Sequence, residues 1–66
     1  MLSARNQFEG TIKELKLGTV MADVVISVGD IEIVSAITRA SAERLDLKAG
    51  DKVTAIVKST DVLIDK

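Results

Sequence analysis

Val20-Met21-Ala22-Asp23-Val24-Val25-Ile26-Ser27-Val28, followed by Gly29-Asp30 and then Ile31-Glu32-Ile33-Val34-Ser35-Ala36-Ile37, is the stretch that decides the fold. Successive side chains of a strand point to opposite faces, so Val20, Ala22, Val24, Ile26 and Val28 fill one face. Gly29-Asp30 reads as a two-residue hairpin turn, because glycine is permitted in the first turn position. The returning strand places Ile31, Ile33 and Ile37 on the core face, while its other face carries Val34 and Ala36, too apolar to be wholly wet. An antiparallel hairpin with one fully apolar face needs further strands to cover it.

Upstream, a first strand runs from Ser3 to about Ile12, with Phe8, Gly10 and Ile12 on one face. Gly10 inside it signals a bulge or a close backbone approach, as where a barrel strand turns a corner. Lys13-Glu14-Leu15-Lys16 is compatible with a continuation, and Gly18 punctuates it. Downstream of the hairpin, Thr38-Arg39-Ala40-Ser41 changes the period. Thr38 and Ser41 can each cap a helix, and Ala42 and Leu45, with Ile37, form a short apolar stripe. That helix ends near Asp46. Leu47-Lys48-Ala49-Gly50-Asp51 is a turn in which Gly50 is free to take positive φ. Val53, Ala55 and Val57 alternate along a fourth strand, with Thr54, Ile56 and Lys58 facing away. Ser59-Thr60-Asp61 is a tight turn, and Val62-Leu63-Ile64 begins a fifth strand. The expectation is an all-β chain: a small five-stranded OB-type Greek-key barrel with one short helix between strands 3 and 4. Another small barrel of similar size is the alternative. No linker or repeat divides residues 1–66, so one domain is expected.

A chain of 66 residues is small; domains of this size hide only about 60% of the surface that their unfolded chains expose. It has no Cys and no His, so neither a disulfide nor a structural zinc staples it. Yet 47% of its residues are hydrophobic, more than a lone small barrel needs, and oligomerisation is the usual outlet. The formal net charge is −1, with both signs interspersed, which lacks the basic stripe of a nucleic-acid binder. There is no basic-then-apolar signal segment and no apolar run of membrane length, so a cytoplasmic protein with no membrane partner is expected. Without His, Cys, Tyr or Trp there is no base tuned near neutrality and no thiolate. No catalytic residue and no directly coordinated metal is assigned, and a non-enzyme is expected.

Three clusters of hydrogen-bond donors stand out. Ser3 and Arg5 share one face at the start of the first strand, a hydroxyl beside a forked cation, while Asn6 points the other way. Thr38 and Ser41, three apart, set two hydroxyls on one side of a first helical turn, where unpaired N–H groups attract an oxyanion. Lys58 and Ser59 combine an ammonium and a hydroxyl where the chain turns. Each has an ordinary meaning taken singly: a solvated strand start, helix caps, an exposed turn. Gly18, Gly29 and Gly50 fit turns and match no nucleotide-binding spacing. Asp23, Glu43 and Asp61 are too scattered for a calcium loop and read as solvated charges.

Ser3-Ala4-Arg5-Asn6-Gln7, Gly10-Thr11-Ile12, Gly18 with Val20, Ile37-Thr38 with Ser41, and Lys58-Ser59-Thr60 together resemble the molbindin (Mop) family across essentially the whole chain. Related domains occur within molybdate-responsive regulators and transporter ATPases, and this chain is similar to the stand-alone form. The resemblance implies an OB-type barrel assembled as a hexamer, a trimer of dimers, that binds molybdate or tungstate in the cytoplasm. It also implies that Ser3, Arg5, Thr38, Ser41, Lys58 and Ser59 bind the oxyanion between protomers. A second class of oxyanion site near the threefold axis is implied without particular residues. Asp46 departs from the glycine common after the short helix, and Asp23 from a frequent Glu; neither touches the implied site, and Asp tolerates the left-handed conformation.

The chemistry agrees with the resemblance. Molybdate is a tetrahedral dianion whose oxygens only accept hydrogen bonds, so a fitting site offers donors and excludes carboxylates. Phosphate, partly protonated near neutrality, would aim an O–H at a donor. The family's other name mentions a pterin, but a flat heterocycle favours aromatic stacking and Phe8 is the sole aromatic residue, so the bare oxyanion is expected to bind. The competing expectations are an OB-type nucleic-acid module, which calls for stacking aromatics and a basic groove, and a plain assembly module.

Overall fold

The computed structural model describes residues 5–66. In chain order it contains strands β1 (Asn6–Leu17), β2 (Met21–Val28) and β3 (Ile31–Thr38), helix α1 (Arg39–Arg44), strand β4 (Lys52–Val57) and a single 3₁₀ turn, Ser59–Asp61. The strands form one antiparallel sheet in the order β3-β2-β1-β4.

The hairpin forms as its alternation requires. Val28 pairs with Ile31 around Gly29, whose φ is +57°, and Ala22, Val24 and Ile26 are buried. Both ends of the apolar face escape the core: Val20 is 69% exposed and Ile31 is 56% exposed, so Ile31 does not join Ile33 and Ile37 in packing.

Strand β1 organises the sheet, because its two halves serve different neighbours. Residues 6–11 pair with β4, and residues 11–17 pair with β2. Serving both requires a bend, and Gly10 permits it: a Cβ there would lie 2.5 Å from the Ser27 carbonyl oxygen and 2.8 Å from methyl groups of Ile26 and Val28. Gly10 is therefore the close backbone approach expected from the sequence, and the bulge falls further on, where the register shifts between Ile12 and Glu14. The bulge turns Ile12 and Leu15, three apart, toward the same core. The strand continues through it to Leu17. Beyond the β1–β4 ladder, Ile12 N–H donates to the Asp51 carbonyl (2.9 Å) and Gly50 N–H to the Ile12 carbonyl (2.8 Å), fixing the loop before β4.

Ile12, Val24, Ile26 and Ala55 form the buried core, with Leu15, Val28, Ile33, Ile37, Leu47 and Val53 packed around it. Helix α1 contributes Ala42, while Leu45, expected on the same stripe, is 62% exposed. The helix ends in a paired Schellman arrangement: Leu47 N–H donates to the Ala42 carbonyl (3.1 Å) and Asp46 N–H to the Glu43 carbonyl (3.0 Å). Asp46 takes the left-handed position at φ 52°, as its chemistry allows.

The expected fifth strand is absent among the described residues. After the 3₁₀ turn the chain joins no strand, and Val62, Leu63 and Ile64 are 52%, 92% and 92% exposed. The run has strand-forming residues, but a strand forms only against an edge. The free edges of this sheet, β3 and β4, flank a groove of about 640 Å³ lined by Ile33, Ile37, Leu45, Leu47, Val53 and Ile56 among others. The C-terminal run lines no part of that groove.

Candidate functional site

The donor residues collect at two ends of β1. The first collection lies where β3 gives way to α1. Thr38 ends β3 in extended conformation (φ −70°, ψ 148°), and its Oγ1 accepts the Ser41 N–H at 3.1 Å, the side-chain cap that starts the helix. The Thr38 hydroxyl in turn donates to Ser41 Oγ at 2.8 Å, and Arg44 Nη2, one turn further along, lies 3.5 Å from the same oxygen. Ser41 Oγ thus receives two donors and keeps its own proton for an outside acceptor.

Arg39 holds this corner in place. Its N–H donates to the Val20 carbonyl (2.7 Å) and its Nη1 to the Gly18 carbonyl (3.2 Å), tying the helix start to the β1–β2 connection. Its Nε pairs with Glu43 at 2.7 Å, so its charge is locally offset. Arg44 has no carboxylate within ion-pair distance among the described residues.

The second collection lies at the opposite end of β1. Asn6 pairs with Val57, so Arg5 and Lys58, the next residues on each strand, sit at the same edge of the sheet. Both are exposed. Lys58 precedes the 3₁₀ turn in extended conformation (φ −67°, ψ 141°) without a side-chain cap, and Ser59 opens that turn. Asp61 closes the turn as an exposed carboxylate. Ser3 lies outside the described residues.

Of the residues singled out from the sequence, the structure joins Thr38 to Ser41 directly and places Arg5 level with Lys58 and Ser59. It does not bring the two collections together. Thr38 pairs with Met21 beside the Leu17 end of β1, whereas Arg5 adjoins the Asn6 end. The intervening strand has a contour of roughly 36 Å at about 3.3 Å per residue. Arg44 was not singled out; its signal was the three-residue spacing from Ser41, the same spacing that links Thr38 to Ser41.

The residues singled out in both collections are donors, as an oxyanion would require, with Asp61 a carboxylate beside the second, and no group of three or more His, Cys, Asp or Glu able to hold a metal ion exists among the described residues. Away from both collections, the Glu32 carboxylate, hydrogen-bonded to Lys13 Nζ across the sheet surface, raises the Lys13 pKa above its ordinary 10.5. No helix among the described residues is long and apolar enough to cross a membrane.

A TOBE domain model matches residues 2–64. The chain is 48% identical over 64 residues to molybdenum-pterin-binding protein 2 of Clostridium pasteurianum, covering 96% of this chain and 94% of that one. It is 46% identical to the molybdenum transport protein ModE of Azotobacter vinelandii over 94% of this chain, but over only 23% of that longer protein. Its fold superposes on a solved molybdate-binding protein from Sporomusa ovata with a TM-score of 0.95 at 48% identity, covering 100% and 98% of the two chains. A solved molybdate-bound form of ModG, described as a cytoplasmic molybdate-binding protein, matches with a TM-score of 0.84 at 44% identity, over 88% of this chain and 42% of that one.

Proposed function

Because the chain belongs to the TOBE domain family, and within it to the small molybdenum-binding proteins of the Mop type, we propose that it binds and stores molybdate in the cytoplasm without catalysis. Tungstate, of like shape and charge, is the second cargo. Each ion sits between subunits of a homo-oligomer, a hexamer built as a trimer of dimers. Ser3, Arg5, Lys58 and Ser59 of one protomer face Thr38 and Ser41 of another across the ion.

The observation that carries this proposal is the separation of the donors. One chain holds Arg5, Lys58 and Ser59 at one end of β1 and Thr38 and Ser41 at the other. A single tetrahedral ion touches both sets when two copies abut. Two apolar features also favour association: the groove between β3 and β4, and Val62, Leu63 and Ile64, whose exposure is costly in a lone protomer. A strand-forming tail on one copy and an unpaired sheet edge on the next are complementary by hydrogen bonding as well as by apolarity.

The energetics suffice. Hydrogen bonds to a charged group contribute roughly 1.5–3 kcal/mol each before desolvation is subtracted. A few that remain net-favourable give micromolar binding, about −8 kcal/mol. Calorimetric titration of the purified protein with sodium molybdate, paired with its mass in solution, tests the proposal. Heat of binding from an oligomer supports it, and an oligomer that ignores molybdate overturns it.

A further inference from the structure

We propose that Arg44 is a further oxyanion-binding residue, acting with the hydroxyl of Ser41; this rests on the molybdate-binding function proposed above. Three observations lead to it. The donors assigned to the helix end, Thr38 and Ser41, are both neutral, whereas the cations Arg5 and Lys58 stand at the far end of β1. A dianion held between two protomers would then receive positive charge from one side only. Arg44 corrects the imbalance: its Nη2 lies 3.5 Å from Ser41 Oγ, so the guanidinium is already beside the hydroxyl that faces the ion.

The second observation is the contrast between the two arginines of α1. Arg39 spends its guanidinium on Glu43 and the Gly18 carbonyl. Among the described residues Arg44 has no carboxylate partner, is exposed, and hydrogen-bonds through its side chain to the Ser41 oxygen. A guanidinium has five N–H donors in a flat fork, so four remain for two edges of a tetrahedral oxyanion.

The third is the direction of the hydrogen bonds. Thr38 and Arg44 both donate to Ser41 Oγ, which leaves the Ser41 O–H as the donor and polarises it. Thr38, its proton directed at Ser41 and its oxygen occupied by the Ser41 N–H, positions Ser41. Arg44 and Ser41 then form the face that meets the ion.

The test compares the full-length assembled protein with Arg44→Gln and Arg44→Lys, each titrated with sodium molybdate at low and at physiological salt, with thermal melting in parallel. Removing one exposed charge-assisted donor should weaken binding about tenfold and flatten its salt dependence, with melting little changed. Arg44→Lys should recover part of the affinity, since it restores charge without the fork. Unchanged affinity in Arg44→Gln overturns the proposal. So does a loss of affinity in both variants that merely tracks a fall in melting temperature, because the residue then acts only on the fold. Wild-type protein that fails to bind molybdate defeats the underlying function instead, a result distinct from either.

Discussion

Gly10→Ala is a single change that the fold predicts to be severe. The added methyl would lie 2.5 Å from the Ser27 carbonyl oxygen and 2.8 Å from side-chain carbons of Ile26 and Val28. Two of those neighbours cannot swing away: the oxygen belongs to the β2 backbone, and Ile26 is 6% exposed. Either β1 and β2 part locally or the bend at Gly10 opens. Overpacking of this kind costs about 1–3 kcal/mol, and a contact with backbone falls at the upper end. For a domain of 66 residues, total stability is roughly 3–10 kcal/mol, so much of it is lost. At about 4–8 °C per kcal/mol for a domain this small, a loss near 3 kcal/mol lowers the melting midpoint by more than ~10 °C. The assay is thermal unfolding followed by circular dichroism at one fixed protomer concentration, because the proposed association would make the midpoint concentration-dependent. A control at Gly29, where an added Cβ meets nothing within 4 Å but φ is +57°, should cost about 1 kcal/mol as Gly29→Ala. A Gly10→Ala protein that melts within ~2 °C of wild type would refute the packing described for β1.

Asp46→Gly should stabilise the fold by about 0.5–1 kcal/mol, seen in urea unfolding, because it relieves a non-glycine residue at φ 52° and removes a carboxylate from a helix C-terminus. Arg5→Ala should weaken molybdate binding by about an order of magnitude or more while the assembly stays folded, measured by calorimetry and light scattering. Binding should hardly change between about pH 6 and 9, where guanidinium and ammonium groups stay charged; a steep loss near pH 6.5 would demand a histidine, which the chain lacks. Lys13, its pKa raised above 10.5 chiefly by the hydrogen bond to Glu32 and then by that carboxylate's charge, contributes stability that is present below pH 10.5 and fades as pH rises through the raised value. In Glu32→Gln the Lys13 pKa should return toward 10.5, as followed by NMR titration, with no effect on binding near neutrality.

Strict alternation made β2 and β3 legible, and Gly29 located their turn. The cap at Thr38 and the left-handed Asp46 were legible because side-chain chemistry alone dictates both. The full length of β1 was less so. Ile12 and Leu15 both face the core, and this break of parity marks the bulge that carries the strand on to Leu17. Val62-Leu63-Ile64 misled for the opposite reason: propensity is a property of the segment, but pairing needs an edge that these residues do not find within their own chain. The hydroxyl pair of Thr38 and Ser41 followed from spacing. That Arg5 and Lys58 stand far from it depends on how β1 divides between β2 and β4, which composition does not encode. Arg44 went unnoticed because a cation late in a helix is ordinarily a complement to the helix dipole.

The most direct measurement is native mass spectrometry of the 66-residue chain titrated with sodium molybdate. Bound molybdate should appear on oligomers, with a hexamer foremost, and the protomer of 7.0 kDa should carry none. A lone protomer that takes up molybdate as tightly as the assembly does would contradict the sharing of donors between copies.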